Sequence, residues 1–266
     1  TLLPDGAEVV HVDLDAEWLG KNYNADVAVM ADLCATIDAI AEGAEGDEEV
    51  GGDGERIEKL SEDRQEWRES YEDKFTSEDS PVLPQRVVAE LNRLVPPDGV
   101  LVSATSYSGF FSGAFYDVEE PGLGYLQARG SDGINVCLPQ AIGVQKARPD
   151  DTVVALSGDG GIGYHIADLE TAAREDLPLT VVVMNNDGLG SSKASQIGTD
   201  NFQYSVDFHE GVNYAAVARG CGCEGVKVGE ADAFAEELER AIESEETTLI
   251  DVQVAPFELP PIIVDR

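Results

Sequence analysis

The sequence predicts an α/β fold, an open and mostly parallel sheet with helices on both faces. Three observations carry this. From Val100 onward the runs GVLVSA, TVVALSG, LTVVVMNN and TLIDVQV are β-branched and nearly continuously apolar, as strands are when both faces of a parallel sheet are covered. Helical patterns fill the gaps at 139–147, 166–174, 211–219 and 231–244, giving a strand, loop, helix rhythm. A glycine-rich turn follows TVVAL directly, at the carboxyl end of a strand, where ligands bind in such sheets.

The elements before Val100 are of a different kind. Residues 7–15 (AEVVHVDLD) read as a strand that ends in acidic turn residues. A helix is expected over 32–42. Residues 43–55 (GAEGDEEVGGDGE) hold only glycine, acids, Ala44 and Val50, too little apolar surface for a core, so they read as a linker. Residues 56–75 are polar with a helical period, and Trp67 and Tyr71 on adjacent turns are expected to pack. A further helix starts after Ser80-Pro81 and stops at Pro96-Pro97. No internal repeat is visible.

The charge is extreme, with 53 acidic against 17 basic residues and a net charge of −36. Such a surface repels nucleic acid and anionic membranes, which excludes both as expected partners. Acids interleaved with well-patterned apolar segments, and Arg favoured over Lys, point to a protein adapted to molar salt, where the Debye length is about 3 Å. An acidic surface built for a basic partner is the rival. Cys34, Cys137, Cys221 and Cys223 do not form a disulfide framework, and neither they nor His11, His165 and His209 have zinc-ligand spacing. With no signal-peptide pattern and no apolar run of about 18 residues, the expected compartment is the cytoplasm.

The chemistry concentrates in SGDGGIGYHIADLETAAREDLPLTVVVMNNDGLG, residues 157–190. Gly158, Gly160 and Gly163 satisfy G-x-G-x-x-G, so an NAD-dependent dehydrogenase is one reading. Asp159 argues against it. A carboxylate against a pyrophosphate is repulsive by several kcal/mol at an effective dielectric of about 20. A hard divalent cation reverses the sign, and Mg²⁺ would take Asp159, an amide oxygen and a main-chain carbonyl as ligands. Asn186 and the carbonyl of Gly188, at the next strand end, complete that set.

The pattern GDG, then NN, with 27 residues from Asp159 to Asn186, resembles the signature of thiamine-diphosphate-dependent 2-oxo acid decarboxylases and carboligases. The stretches LPQAIGVQKARPDDTVVALSGDG, VVHVDLDAEWLGKNYNADVAVMADLCATIDAI and GCGCEGVKV to LIDVQVAP are similar to acetolactate synthase and benzoylformate decarboxylase. The resemblance implies thiamine diphosphate and Mg²⁺ as cofactors, with Asp159, Asn186 and Gly188 as metal ligands. It implies that Gly158, Gly160 and Gly161 approach the diphosphate, with the amides of Gly160 and Gly161 capping it at a helix N-terminus, and that Thr105 and Ser106 form a second diphosphate-binding pair. Ile134 falls where the family places the bulky apolar residue beneath the cofactor that bends it for catalysis. Three departures stand out: Gly161 replaces a usual Ser, Ser103 an acidic residue, and Ser195 a tryptophan expected two residues after Lys193. Tyr164 and His165 either face a substrate or cap and pack the following helix.

By the same resemblance, residues 1–42 are the end of a central domain, 43–79 a linker and polar helix, and 80–266 the diphosphate-binding domain. Nothing corresponds to the pyrimidine domain, whose glutamate activates the cofactor. The expectation is a fragment or subunit of a lyase or transferase acting on a 2-oxo acid, inactive alone, with the pyrimidine domain supplied by the rest of a longer polypeptide or by another chain. A homo-oligomer is implied. The alternative from another class is a non-catalytic cofactor-binding or oligomerising module.

Overall fold

The computed structural model describes residues 3–4, 6–44, 54–130, 133–200, 203–208 and 211–261, with backbone alone for 198–200. Most of the expected linker, and His209, lie outside the described residues. The chain divides into two compact units, Thr1–Glu66 and Trp67–Arg266.

In the first unit, β1 (Val10–Asp13) pairs in parallel with β2 (Val27–Met30), from Val10 against Val27 to Asp13 against Met30. The expected strand is thus shorter than 7–15, because Val9 already spends its N–H on the Asp26 carboxylate, at 2.8 Å. Helix α1 (Leu33–Ala44) follows and runs through Gly43 and Ala44, the first residues of the expected linker. Asp32 starts it by accepting from the Ala35 amide at 2.9 Å. No residue of α1 is buried, and Leu33, Ile37 and Ile40 are exposed. The polar segment forms α2 (Gly54–Glu69), whose last residues belong to the second unit, and a single turn, α3 (Glu72–Phe75), within that second unit.

The second unit is built on a six-stranded sheet. Helix α4 (Pro84–Leu94) has Pro84 in its first turn, where no N–H is needed. It ends at Val95, because Pro96-Pro97 cannot continue it. Then come β3 (Val100–Ser103), α5 (Tyr107–Phe115), β4 (Tyr125–Gln127), α6 (Cys137–Ala147), β5 (Val153–Gly158), α7 (Asp159–Ile162), α8 (Asp168–Arg174), β6 (Leu179–Asn185), α9 (Gly190–Asp200), α10 (Tyr214–Gly220), β7 (Glu224–Val228), α11 (Ala231–Ile242) and β8 (Thr248–Gln253). The strand order is β4-β3-β5-β6-β8-β7 and every pairing is parallel, so the predicted sheet is observed.

Alternate residues of each central strand serve the two faces. On one face Val154 and Leu156 of β5, Val182 and Met184 of β6, and Ile250 and Val252 of β8 pack against Leu91, Phe111, Phe115, Phe234 and Leu238 of α4, α5 and α11. On the other, Val153, Ala155, Val181, Val183 and Leu249 meet Leu138, Leu169, Ala172, Tyr214 and Ala218 of α6, α8 and α10. Burying each large side chain contributes roughly 1.5–3 kcal/mol. Trp67 and Tyr71 pack as expected: Trp67 stacks on Phe115 at 5.2 Å and meets Tyr71 edge-on at 5.4 Å. All four cysteines are free. No helix among the described residues is long and apolar enough to cross a membrane.

Candidate functional site

The order of the sheet creates the site. The chain runs from β3 outward to β4, then returns to β5 on the other side of β3. Between the carboxyl ends of β3 and β5 the connections diverge to opposite faces, leaving a crevice. A cavity of about 260 Å³ opens there and extends across the end of β6. Thr105, Ser106, Ile134, Gly158, Asp159, Gly160, Gly161, Asn186 and Gly188 all line it, together with Tyr164.

Asp159 is only 3% exposed. Its Oδ1 accepts from the Gly160 amide at 2.7 Å and its Oδ2 from the Gly188 amide at 2.9 Å. The second bond ties the turn after β5 to the turn after β6. Burial pushes the carboxyl up to about 6, against the lowering effect of both amides and with a smaller push from Asp187. The Gly160 amide, expected to cap the diphosphate, serves Asp159 in this structure. Helix α7 is also only four residues long, so little macrodipole stands behind it.

The turn after β6 is held from three sides. Asn185 donates from Nδ2 to Asp251 at 2.9 Å and accepts from the Asp187 amide at 3.1 Å. Asp187 sits at φ 53°, a left-handed conformation that Asp tolerates, and accepts from Gln253 Nε2 at 2.9 Å. The segment around Val206 crosses the turn: the Leu189 amide donates to the Val206 carbonyl at 2.7 Å and the Phe208 amide to the Asp187 carbonyl at 2.8 Å. A Cβ on Gly188 would stand 2.6 Å from that Val206 carbonyl, so only glycine fits there. Tyr214 Oη donates to the Asp159 carbonyl at 2.8 Å. Asn186 is nearly buried, and a Cβ on Gly190 would lie 2.6 Å from its Nδ2 and 2.8 Å from the Tyr107 ring.

At the end of β3, Thr105 is half-buried and Ser106 exposed. Ser106 takes φ 76°, a strained conformation for serine of the sort that concentrates at binding sites. Ile134 is 52% exposed, so it is a cavity wall rather than a core residue. Three other residues singled out by sequence stand elsewhere. His165 Nδ1 lies 3.3 Å from Asp168 Oδ2 at the start of α8, Lys193 pairs with Asp207 at 2.7 Å, and Ser103 bonds Ser112 in the core at 2.8 Å. Sequence reasoning missed Tyr107, Asn135, Tyr214 and Asp251. Only Asp251 carried a signal, as the one charge within the apolar run TLIDVQV.

The candidate donor set is hard: a carboxylate, a side-chain amide and a main-chain carbonyl, a chemistry that would suit Mg²⁺ or Ca²⁺. Among the described residues no group of three or more His, Cys, Asp or Glu could hold a metal. A dinucleotide fingerprint calls for a helix that continues from its third glycine. Here Gly163 falls in the turn between α7 and α8.

The family model for the thiamine pyrophosphate enzyme C-terminal TPP binding domain matches residues 106–252. The Bacillus subtilis protein YdaP is 28% identical over 252 residues, covering 95% of this chain and 43% of its own length. The acetolactate synthase large subunit of Parasynechococcus marenigrum is 28% identical over 250 residues, covering 93% of this chain and 39% of its own length. Among solved structures, the thiamine diphosphate-dependent 4-hydroxybenzoylformate decarboxylase of Rhodococcus jostii RHA1 shares the fold, with a TM-score of 0.77 at 23% identity over 96% of this chain and 45% of that one. The chain thus spans less than half the length of the curated relatives it matches. It belongs to the thiamine pyrophosphate enzymes, and carries their C-terminal TPP binding domain.

Proposed function

We propose that this chain binds thiamine diphosphate through Mg²⁺ as the C-terminal part of an enzyme that decarboxylates or ligates 2-oxo acids. The observation that carries the reading is the bond from the Gly188 amide to the buried Asp159 carboxylate, at 2.9 Å. It joins the two turns whose oxygens form a hard-cation site. In this reading Asp159, Asn186 Oδ1 and the Gly188 carbonyl hold the cation, and the cation holds the diphosphate.

Bound there, thiamine diphosphate supplies an electron sink for breaking the bond between a 2-oxo carbon and its carboxylate. The chain's own residues do the rest of the work on this side of the cofactor. Thr105 and Ser106 offer hydroxyls to the diphosphate from the end of β3. Ile134 supports the cofactor with an apolar surface, and with Tyr164 it excludes water from the reacting end. Gly158, Gly160 and Gly161 let the main chain come close. The glutamate that activates the cofactor comes from a pyrimidine domain, in the same polypeptide or a second chain. A homo-oligomer follows if the site is shared between copies.

Calorimetric titration of thiamine diphosphate tests this, in molar salt where the charge of −36 is screened. Binding is expected with Mg²⁺ and not without it. Binding of NAD in place of thiamine diphosphate would contradict the reading. Metal-dependent binding with no turnover after addition of a pyrimidine domain would favour a non-catalytic module.

A further inference from the structure

Asn135 is buried in the wall of the cavity, 1% exposed, between Ile134 and the helix α6. Its backbone is left-handed, with φ 54°, a conformation in which glycine is the least strained residue. A side chain kept at such a position calls for a reason. One end of the side chain has its partners: Oδ1 accepts from the Ser157 hydroxyl and from Cys137 Sγ, the latter at 3.2 Å. Burial pushes the Cys137 thiol up to about 12, so it stays protonated and remains a donor. The other end has none. Nδ2 is buried without a hydrogen-bond partner among the described residues, and an unsatisfied buried donor is costly to keep.

The neighbour of this amide is Gly161. A Cβ there would lie 3.3 Å from Asn135 Cβ and 3.6 Å from both its Cγ and its Oδ1. The two residues share one space, which Asn135 takes and Gly161 yields. We infer that Asn135 is a binding residue for the cofactor, its unpartnered Nδ2 donating to the diphosphate from the cavity wall that it shares with Gly161. This rests on the proposed function, because it needs an anionic ligand along Gly158–Gly161. It also accounts for both local oddities at once: the left-handed asparagine and the amide without a partner.

The test is calorimetry on the 266-residue chain with Mg²⁺, using thiamine diphosphate and inorganic pyrophosphate as separate probes. Asn135→Gly keeps the backbone conformation and removes the donor. It is expected to weaken both probes by about 10-fold or more, the usual scale for a hydrogen bond to a charged group; because it also removes the Oδ1 acceptor of Ser157 and Cys137, affinities are compared below the melting transition of each variant. Gly161→Ala supplies a second route, because its methyl pushes the amide aside without altering Asn135. It is expected to weaken both probes in the wild-type background and to have no effect in the Asn135→Gly background. Binding by Asn135→Gly within twofold of wild type would overturn the inference, as would additive effects of the two changes. A loss confined to thiamine diphosphate would move the contact from the diphosphate to the rings and overturn it too. Failure of the wild type to bind either probe would remove the proposed function itself, which is a distinguishable result.

Discussion

The interior of the central strands and their carboxyl ends are built from the same chain and obey opposite rules. Leu156, Val182 and Ile250 are fully buried and apolar, and each contributes to stability without any polar group to satisfy. Only a few residues along, Asp159, Asn185, Asn186 and Asp251 are buried as well. Three of these side chains have partners that fix their positions: the Gly188 amide for Asp159, Asp251 for Asn185, and the Tyr214 amide for Asp251, while Tyr214 Oη also holds the Asp159 carbonyl. The interior keeps the sheet folded, whereas its end spends part of that stability on holding oxygens in place. Changes in the two regions should therefore separate stability from binding.

The largest effect is expected in the interior. Phe234→Ala removes a fully buried ring from one face of the sheet and should cost about 3–5 kcal/mol in chemical denaturation. The molecules that remain folded should bind thiamine diphosphate with Mg²⁺ as the wild type does; a matching loss of affinity would break the separation. Asp159→Ala should do the reverse. At least a 100-fold loss of metal-dependent affinity, about 2.7 kcal/mol, should accompany unliganded stability that is unchanged or higher. The reason is that burial already disfavours this carboxylate.

Gly190→Ala tests the packing behind the proposed metal site. Its methyl would meet Asn186 Nδ2 and the Tyr107 ring, so titration should show about a 10-fold loss of affinity, roughly 1.4 kcal/mol. The smallest effect concerns pH. Burial raises the Asp251 carboxyl above the usual range, opposed by hydrogen bonds from Asn185 and the Tyr214 amide and by the charge of Lys227, and reinforced by Asp187. A raised acid binds its proton more tightly when folded, so its contribution to stability is greatest below the unfolded pKa and declines as pH rises toward the folded one. Denaturation of wild type and Asp251→Asn across the carboxylate range should show the wild type losing stability relative to the variant as pH rises. Parallel curves would mean that the Asp251 network costs nothing.

The same contrast explains what was legible in the sequence. Strands β5, β6 and β8 are apolar on both faces, so their runs are unmistakable. Strand β4 has three residues, all half-buried, and β7 alternates along an edge of the sheet; neither makes a continuous run. Helix α5, YSGFFSGAF, is rich in glycine and aromatics, and α9, GSSKASQIGTD, is mostly polar, so local propensity points away from helix in both. At the site, Asp159, Asn186 and Gly188 stood in a motif with a chemical reason for each residue type. Asn135 and Tyr214 did not, because the first is defined by what its Oδ1 meets in the folded chain and the second reaches the Asp159 carbonyl across 55 residues of sequence. The crossing of Val206 over the turn after β6 is likewise a tertiary fact with no local pattern.

The central claim is that the ends of β5 and β6 hold the cofactor through a hard cation. A crystal structure of the chain with Mn²⁺ and thiamine diphosphate, with anomalous scattering used to locate the metal, tests it most directly. The account predicts one peak within about 2.0–2.3 Å of Asp159, of Asn186 Oδ1 and of the Gly188 carbonyl, bridged to the diphosphate. A diphosphate bound with no metal beside it, or a metal held away from these three oxygens, would contradict it.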